Sequence, residues 1–205
     1  MRLQIAHHSE PDAYWAGPDY ELNMTFEVLR DRQWQRLTQS LWDDPTLDGP
    51  FEARYVPGSG QPTRIPVQAP APTATQTHYG LLSLEGMAVG CRLLLTRSLF
   101  ECATLQVPLS MFEGSFEEEP LLVPSLDYVL QEIALAIFAV APFELANIGS
   151  ETGCYLVAEL LADPQQRDEF VTQGNFFARD SVLAMLDVSP TEHVEARPGL
   201  RWVSA

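Results

Sequence analysis

Tyr20-Glu21-Leu22-Asn23-Met24-Thr25-Phe26-Glu27-Val28 alternates apolar and polar side chains without a break. A period of two puts Tyr20, Leu22, Met24, Phe26 and Val28 on one face and Glu21, Asn23, Thr25 and Glu27 on the other. The stretch reads as a half-buried strand of the kind found in an antiparallel sheet with one wet side. Met1–His7, just upstream, is a short candidate for a neighbouring strand.

Beyond it, Trp34, Leu37, Leu41 and Trp42 recur at helical spacing and predict a helix from about Asp31 to Trp42, ended by Pro45 and Gly49. Residues 57–77 hold five prolines among Gly, Ser, Thr and Ala, a long extended connection with no packing face of its own. Tyr79–Leu84 and Met87–Thr96 predict a hairpin around Glu85-Gly86. Leu105, Val107, Leu109 and Met111 then alternate with Thr104, Gln106, Pro108 and Ser110. Pro108 lacks an amide proton, which assigns this strand to a sheet edge or a bulge.

Residues 125–141 carry the strongest helix signal. Ser125 is its candidate cap, Asp127 suits its positive end, and Pro142 stops it. Beyond Glu132 it is apolar all round, which places it inside, across a sheet. Phe143–Ile148 reads as a strand, and Cys154–Leu161 fits either strand or helix. Asp163 and Pro164 open a helix running to Thr172, and a shorter one covers Arg179–Leu186, capped at Asn175 or nearby. Leu200–Val203 closes the chain as a strand after the Pro198-Gly199 turn. This order predicts an α+β fold, a largely antiparallel sheet packed against one long buried helix with shorter helices around it. Residues 1–205 suit a single domain, within which 57–77 either separates two lobes or forms a surface loop.

The charge is lopsided. All 12 basic residues are arginine, against 28 carboxylates, for a net charge of −16. GC-rich codons shared by Arg, Ala, Pro and Gly account for the missing lysine if the source is a GC-rich bacterium. The negative field disfavours direct nucleic-acid binding, which draws its affinity from cation–phosphate contacts. It equally disfavours anionic membranes, and the longest apolar run, Ile133–Phe143, is shorter than the roughly 20 residues of a spanning helix. The N-terminus lacks the apolar stretch of a signal peptide. Three cysteines, Cys91, Cys102 and Cys154, with no CxxC, point to reduced thiols and a cytoplasmic protein.

Few residues point to chemistry. His7-His8 with Glu10 and Asp12 is the one cluster of metal-capable side chains, but adjacent histidines on a strand face opposite ways and the spacing matches no zinc pattern. No metal or other cofactor is expected, since GxGxxG and GxxxxGK[ST] are both missing. The cysteines sit in apolar contexts and read as core. Ser150-Glu151-Thr152-Gly153 reads as a hairpin turn. Asp43-Asp44 and Glu117-Glu118-Glu119 read as solvated charge runs or as an acidic contact surface. Trp15 lies in a loop-like stretch beside acids, where it either contacts a partner or folds back on a sheet edge.

The function expected from these features is non-catalytic binding of a basic protein partner, as an immunity or adaptor protein would do, through Trp15, Asp43, Asp44, Glu117, Glu118 and Glu119. The alternative is an enzyme or small-ligand protein with its site between sheet and long helix, using scattered residues such as His78, Glu151, Cys154 or His193. A weaker alternative is mimicry of nucleic-acid charge.

Overall fold

In the computed structural model the chain is described over residues 3–98, 100–113, 122–189, 191 and 193–204. Nine strands form one antiparallel sheet: β1 (Asp19–Phe26), β2 (Leu47–Phe51), β3 (Ala74–Leu84), β4 (Met87–Arg97), β5 (Glu101–Pro108), β6 (Leu145–Ser150), β7 (Phe176–Arg179), β8 (Val194–Arg197) and β9 (Leu200–Val203). Their order across the sheet is β2-β3-β4-β5-β1-β6-β7-β9-β8. The helices are α1 (Asp31–Trp42), α2 (Leu122–Val140), α3 (Val157–Ala162), α4 (Pro164–Gln173) and α5 (Asp180–Met185). The α+β fold with one long helix is as the sequence predicts.

The alternating stretch from Tyr20 forms β1, which is central, between β5 and β6. Tyr20, Leu22, Met24 and Phe26 join the main core. That core also takes the buried stripe of α1 (Trp34, Leu37, Leu41) and of α2 (Leu122, Leu126, Leu130, Ile133, Ala134, Ile137). α2 is therefore a one-sided helix, not buried all round: Tyr128 and Val140 are exposed. By length and composition it would suffice to cross a membrane, but its apolar stripe lies on the sheet. Ser125 sits inside the helix, where its hydroxyl donates to Glu85 Oε1 (3.1 Å).

The other face of β1 corrects the expectation of a wet side. Asp19, Glu21, Asn23 and Thr25 are all buried. Residues 151–156 cross above them, and α3, α4 and α5 cover β6, β7 and β9 with a second core around Phe170, Phe176 and Leu160. The strand also ends earlier than the alternation does. Val28 is 89% exposed in the turn leading to α1.

Turn chemistry explains the hairpin of β3 and β4. Glu85 and Gly86 both have positive φ (50° and 79°), the left-handed pair that matches the twist of two-residue hairpins. β5 is not an edge strand. It lies between β4 and β1, and Pro108 is its last residue, where no ladder bond is demanded of it. β2 and β3, on either side of the proline-rich stretch, pair with each other. Met1–His7 does not supply a strand in its described part: Ile5 makes only an isolated bridge to Phe112. Asp163 caps α4 as expected, its Oδ1 accepting from the amides of Gln165 (3.0 Å) and Gln166 (3.2 Å). Asn175 does not cap α5, whose N-cap residue is Arg179.

Candidate functional site

The polar row of the sheet is built to hold a strap. Residues 151–156 form no helix or strand, so their backbone groups need partners from elsewhere. Gly153 N donates to Glu21 Oε2 (3.2 Å). Asn147 Nδ2 donates to Gly153 O (3.2 Å), and Thr25 Oγ1 donates to Tyr155 O (2.9 Å). Asn23 Nδ2 donates to Thr152 Oγ1 (3.0 Å), while its Oδ1 accepts from Thr104 Oγ1 (2.7 Å). Gly149 lets the strap come this close, since a Cβ there would stand 2.7 Å from Thr152 Cγ2. Asp19 and Glu21 are stabilised in the interior by Arg92, which pairs with Asp19 and donates to Gln106, which in turn donates to Glu21. Burial is nevertheless the larger effect at Asp19 and pushes its carboxyl above its ordinary value.

A disulfide fixes the strap. Cys154 is bonded to Cys102 of β5, across a sequence separation of 52. This corrects the reading of three separately packed thiols. Only Cys91 remains free among the cysteines, buried in the main core with its thiol pushed upward by desolvation.

Beside the strap, between α2 and the sheet, lies a cleft of about 600 Å³. Among its described lining residues Asp127 of α2 is the one carboxylate, and none is a cation. Tyr20 Oη donates to Asp127 Oδ1 (2.6 Å), and Asn175 Nδ2 donates to the same oxygen (3.1 Å). Asn175 adopts a left-handed φ of 58°, and its amide also donates to Ile148 O (2.9 Å), which locks it in place. Burial, then the neighbouring carboxylate, push the Tyr20 phenol above its ordinary value, so it stays a donor. Tyr155, Phe170 and Trp202 supply aromatic wall.

The residues singled out from sequence are dispersed. Trp15 ends a 3-10 turn (Pro11–Trp15) and is buried at 9% exposure. It packs over Gly90, where a Cβ would meet its Cζ2 at 2.8 Å, stacks edge-on with Tyr79, and donates from Nε1 to Tyr55 O (2.9 Å). This gives Trp15 a packing role in place of the partner-facing one. Asp44 is half-buried and accepts from Thr46 N (2.9 Å) in the turn after α1, whereas Asp43 is exposed. Glu117, Glu118 and Glu119 lie outside the described residues. His78 and Cys154 sit on opposite faces of the sheet, His78 toward Trp42 and Cys154 in the strap, so they form no thiol–imidazole pair. Among the described residues no group of three His, Cys, Asp or Glu is placed to hold a metal. Sequence reasoning took Asp127 only as a helix-dipole residue and missed Tyr20 and Asn175 as its partners. The contacts join positions 107 and 48 apart, and no local signal carries them.

The surface is not uniformly acidic. Arg64, Arg92, Arg97, Arg167, Arg179 and Arg201 are each ion-paired within the fold. Arg30, Arg32 and Arg36 gather at the start of α1 beside Val28.

No family model matches the chain, and no curated protein matches it. The fold is similar to a solved structure, the T6SS protein PA0821 of Pseudomonas aeruginosa, with a TM-score of 0.44 and 10% sequence identity over 91% of this chain and 68% of that one.

Proposed function

We propose that this chain is a non-catalytic binding protein that presents an acidic surface to a basic protein partner, in the manner of an immunity or adaptor protein. One observation carries the reading: half of the 12 arginines are tied up in ion pairs, while many exposed carboxylates are not. Six arginines are matched to particular acids, including Asp19, Asp48, Asp168 and Asp180. Exposed Glu10, Asp12, Asp43, Glu52, Glu159, Asp163 and Glu169 have no arginine partner among the described residues. Such a surface attracts a basic protein over a distance of about 10 Å at 0.1 M salt and speeds the encounter.

Native mass spectrometry of the protein isolated from its own host tests this. The expected result is a stoichiometric complex with a basic protein at low salt, lost at high salt. A partner that is acidic, or whose binding ignores salt, overturns the reading.

The cleft at Asp127 favours a second reading, a small-ligand protein with its site between the sheet and the long helix. Its volume falls in the usual range of ligand pockets, roughly 300–1,000 Å³.

A further inference from the structure

We infer that the cleft at Asp127 is a binding site for an organic cation, a guanidinium or ammonium group on a short stem. The source of that cation depends on the binding readings above: it is the arginine or lysine side chain of the basic partner, or a free small molecule.

Among the described lining residues Asp127 is the one carboxylate, and none is a cation. Both hydrogen bonds that hold Asp127, from Tyr20 Oη and Asn175 Nδ2, go to Oδ1. Among the described residues none goes to Oδ2. A carboxylate has about four lone-pair sites, so this one is held in place with acceptor capacity to spare. A guanidinium or ammonium supplies the charge-assisted donor that such an oxygen takes best.

The walls agree with that chemistry. Tyr155 and Trp202 line the same cleft, and aromatic faces attract cations. A neutral donor would leave the carboxylate's charge uncompensated and bind it more weakly than a cation does, and an anion would be repelled by it. The helix dipole does not oppose the cation much. α2 begins at Leu122, so Asp127 lies beyond the first turn, where the dipole acts. The site is also rigid. Asn175 is tied to β6 through Ile148 O, and Tyr155 belongs to the strap that Cys102–Cys154 fastens to the sheet. Rigid first contacts lower the ordering cost of binding.

The test uses the full chain and two probes, N-acetyl-arginine amide and its neutral isostere N-acetyl-citrulline amide, followed by amide chemical shifts and tryptophan fluorescence. The arginine probe is expected to shift signals of the cleft and the citrulline probe to bind at least tenfold more weakly. Asp127→Asn keeps an acceptor for Tyr20 and Asn175 but removes the charge, and is expected to weaken the arginine probe at least tenfold. Gln131→Glu adds a second carboxylate to the lining and is expected to tighten it. Opposite effects of two variants cannot both come from misfolding. Equal binding of the two probes, no binding of either, or indifference to both substitutions overturns the inference. Failure of the probes leaves the acidic-surface reading to its own salt test. If the probe binds and Asp127→Asn also weakens the protein partner, the cation is the partner's side chain. If the partner is unaffected, the cation is a free small molecule.

Discussion

His78 shows how tertiary burial changes a residue that sequence can only name. It is 1% exposed on the main-core face of β3, near the Trp42 ring, and neither ring nitrogen has a hydrogen-bond partner among the described residues. Burial lowers its pKa, so the folded protein keeps it neutral while the unfolded chain takes a proton near the ordinary value of about 6.5. The unfolded state then binds more protons, and stability falls as pH drops below about 6.5. Asp19 and Glu144 act the other way. Burial, the first cause at each, raises their carboxyls, so their terms favour the fold as pH falls through the carboxylate range. Urea unfolding is expected to show stability falling as pH drops below about 6.5, and His78→Phe to flatten that slope; an unchanged slope assigns it to other groups. Trp15 gives the complementary lesson. Its sequence context allowed a contact surface or a sheet-edge cap, and the space left by Gly90 decided for packing.

At the scale of elements, local chemistry was legible wherever it was local. α1 spans Asp31–Trp42 as its spacing predicts, Asp163 caps α4, and Glu85-Gly86 turns the β3–β4 hairpin. β2, β7 and β8 were not foreseen, because four or five residues do not establish a period and β2 contains Gly49-Pro50. Pro108 assigns β5 to an edge or a bulge because sequence cannot tell the last residue of a strand from an inner one. The strap is the element that only the fold creates. Its polar anchors alternate in β1 like a solvated face, and their burial is tolerated because Glu21 meets the Gly153 amide, Asn23 the Thr152 hydroxyl and Thr25 the Tyr155 carbonyl. A cross-link over a separation of 52 stabilises by about 4 kcal/mol on the loop-entropy account. Alkylation of the protein trapped from its host and then unfolded is therefore expected to modify one cysteine, Cys91, before reduction and three after it. Three modified thiols before reduction would mean that Cys102 and Cys154 are separate in the cell, as the reduced-cytoplasm expectation has it.

For the whole molecule, charge was legible at once, since −16 follows from composition alone. Which acids are free to act was not, because ion pairing depends on neighbours brought together by the sheet: Arg92 reaches Asp19 across 73 positions. Replacing Glu117, Glu118 and Glu119 with Gln is expected to slow association with a basic partner and to flatten its salt dependence; unchanged stopped-flow rates would remove these three from the contact surface. By itself the sequence determined the antiparallel α+β class, the helix at 31–42, the capped helix from Pro164 and the acidic balance, because period, capping and composition are properties of near neighbours. Tertiary structure alone decided that the polar face of β1 is covered, that Cys102 meets Cys154, that Trp15 turns inward and that Tyr20, Asp127 and Asn175 share one cleft, because each depends on groups far apart in the chain whose meeting is set by strand order.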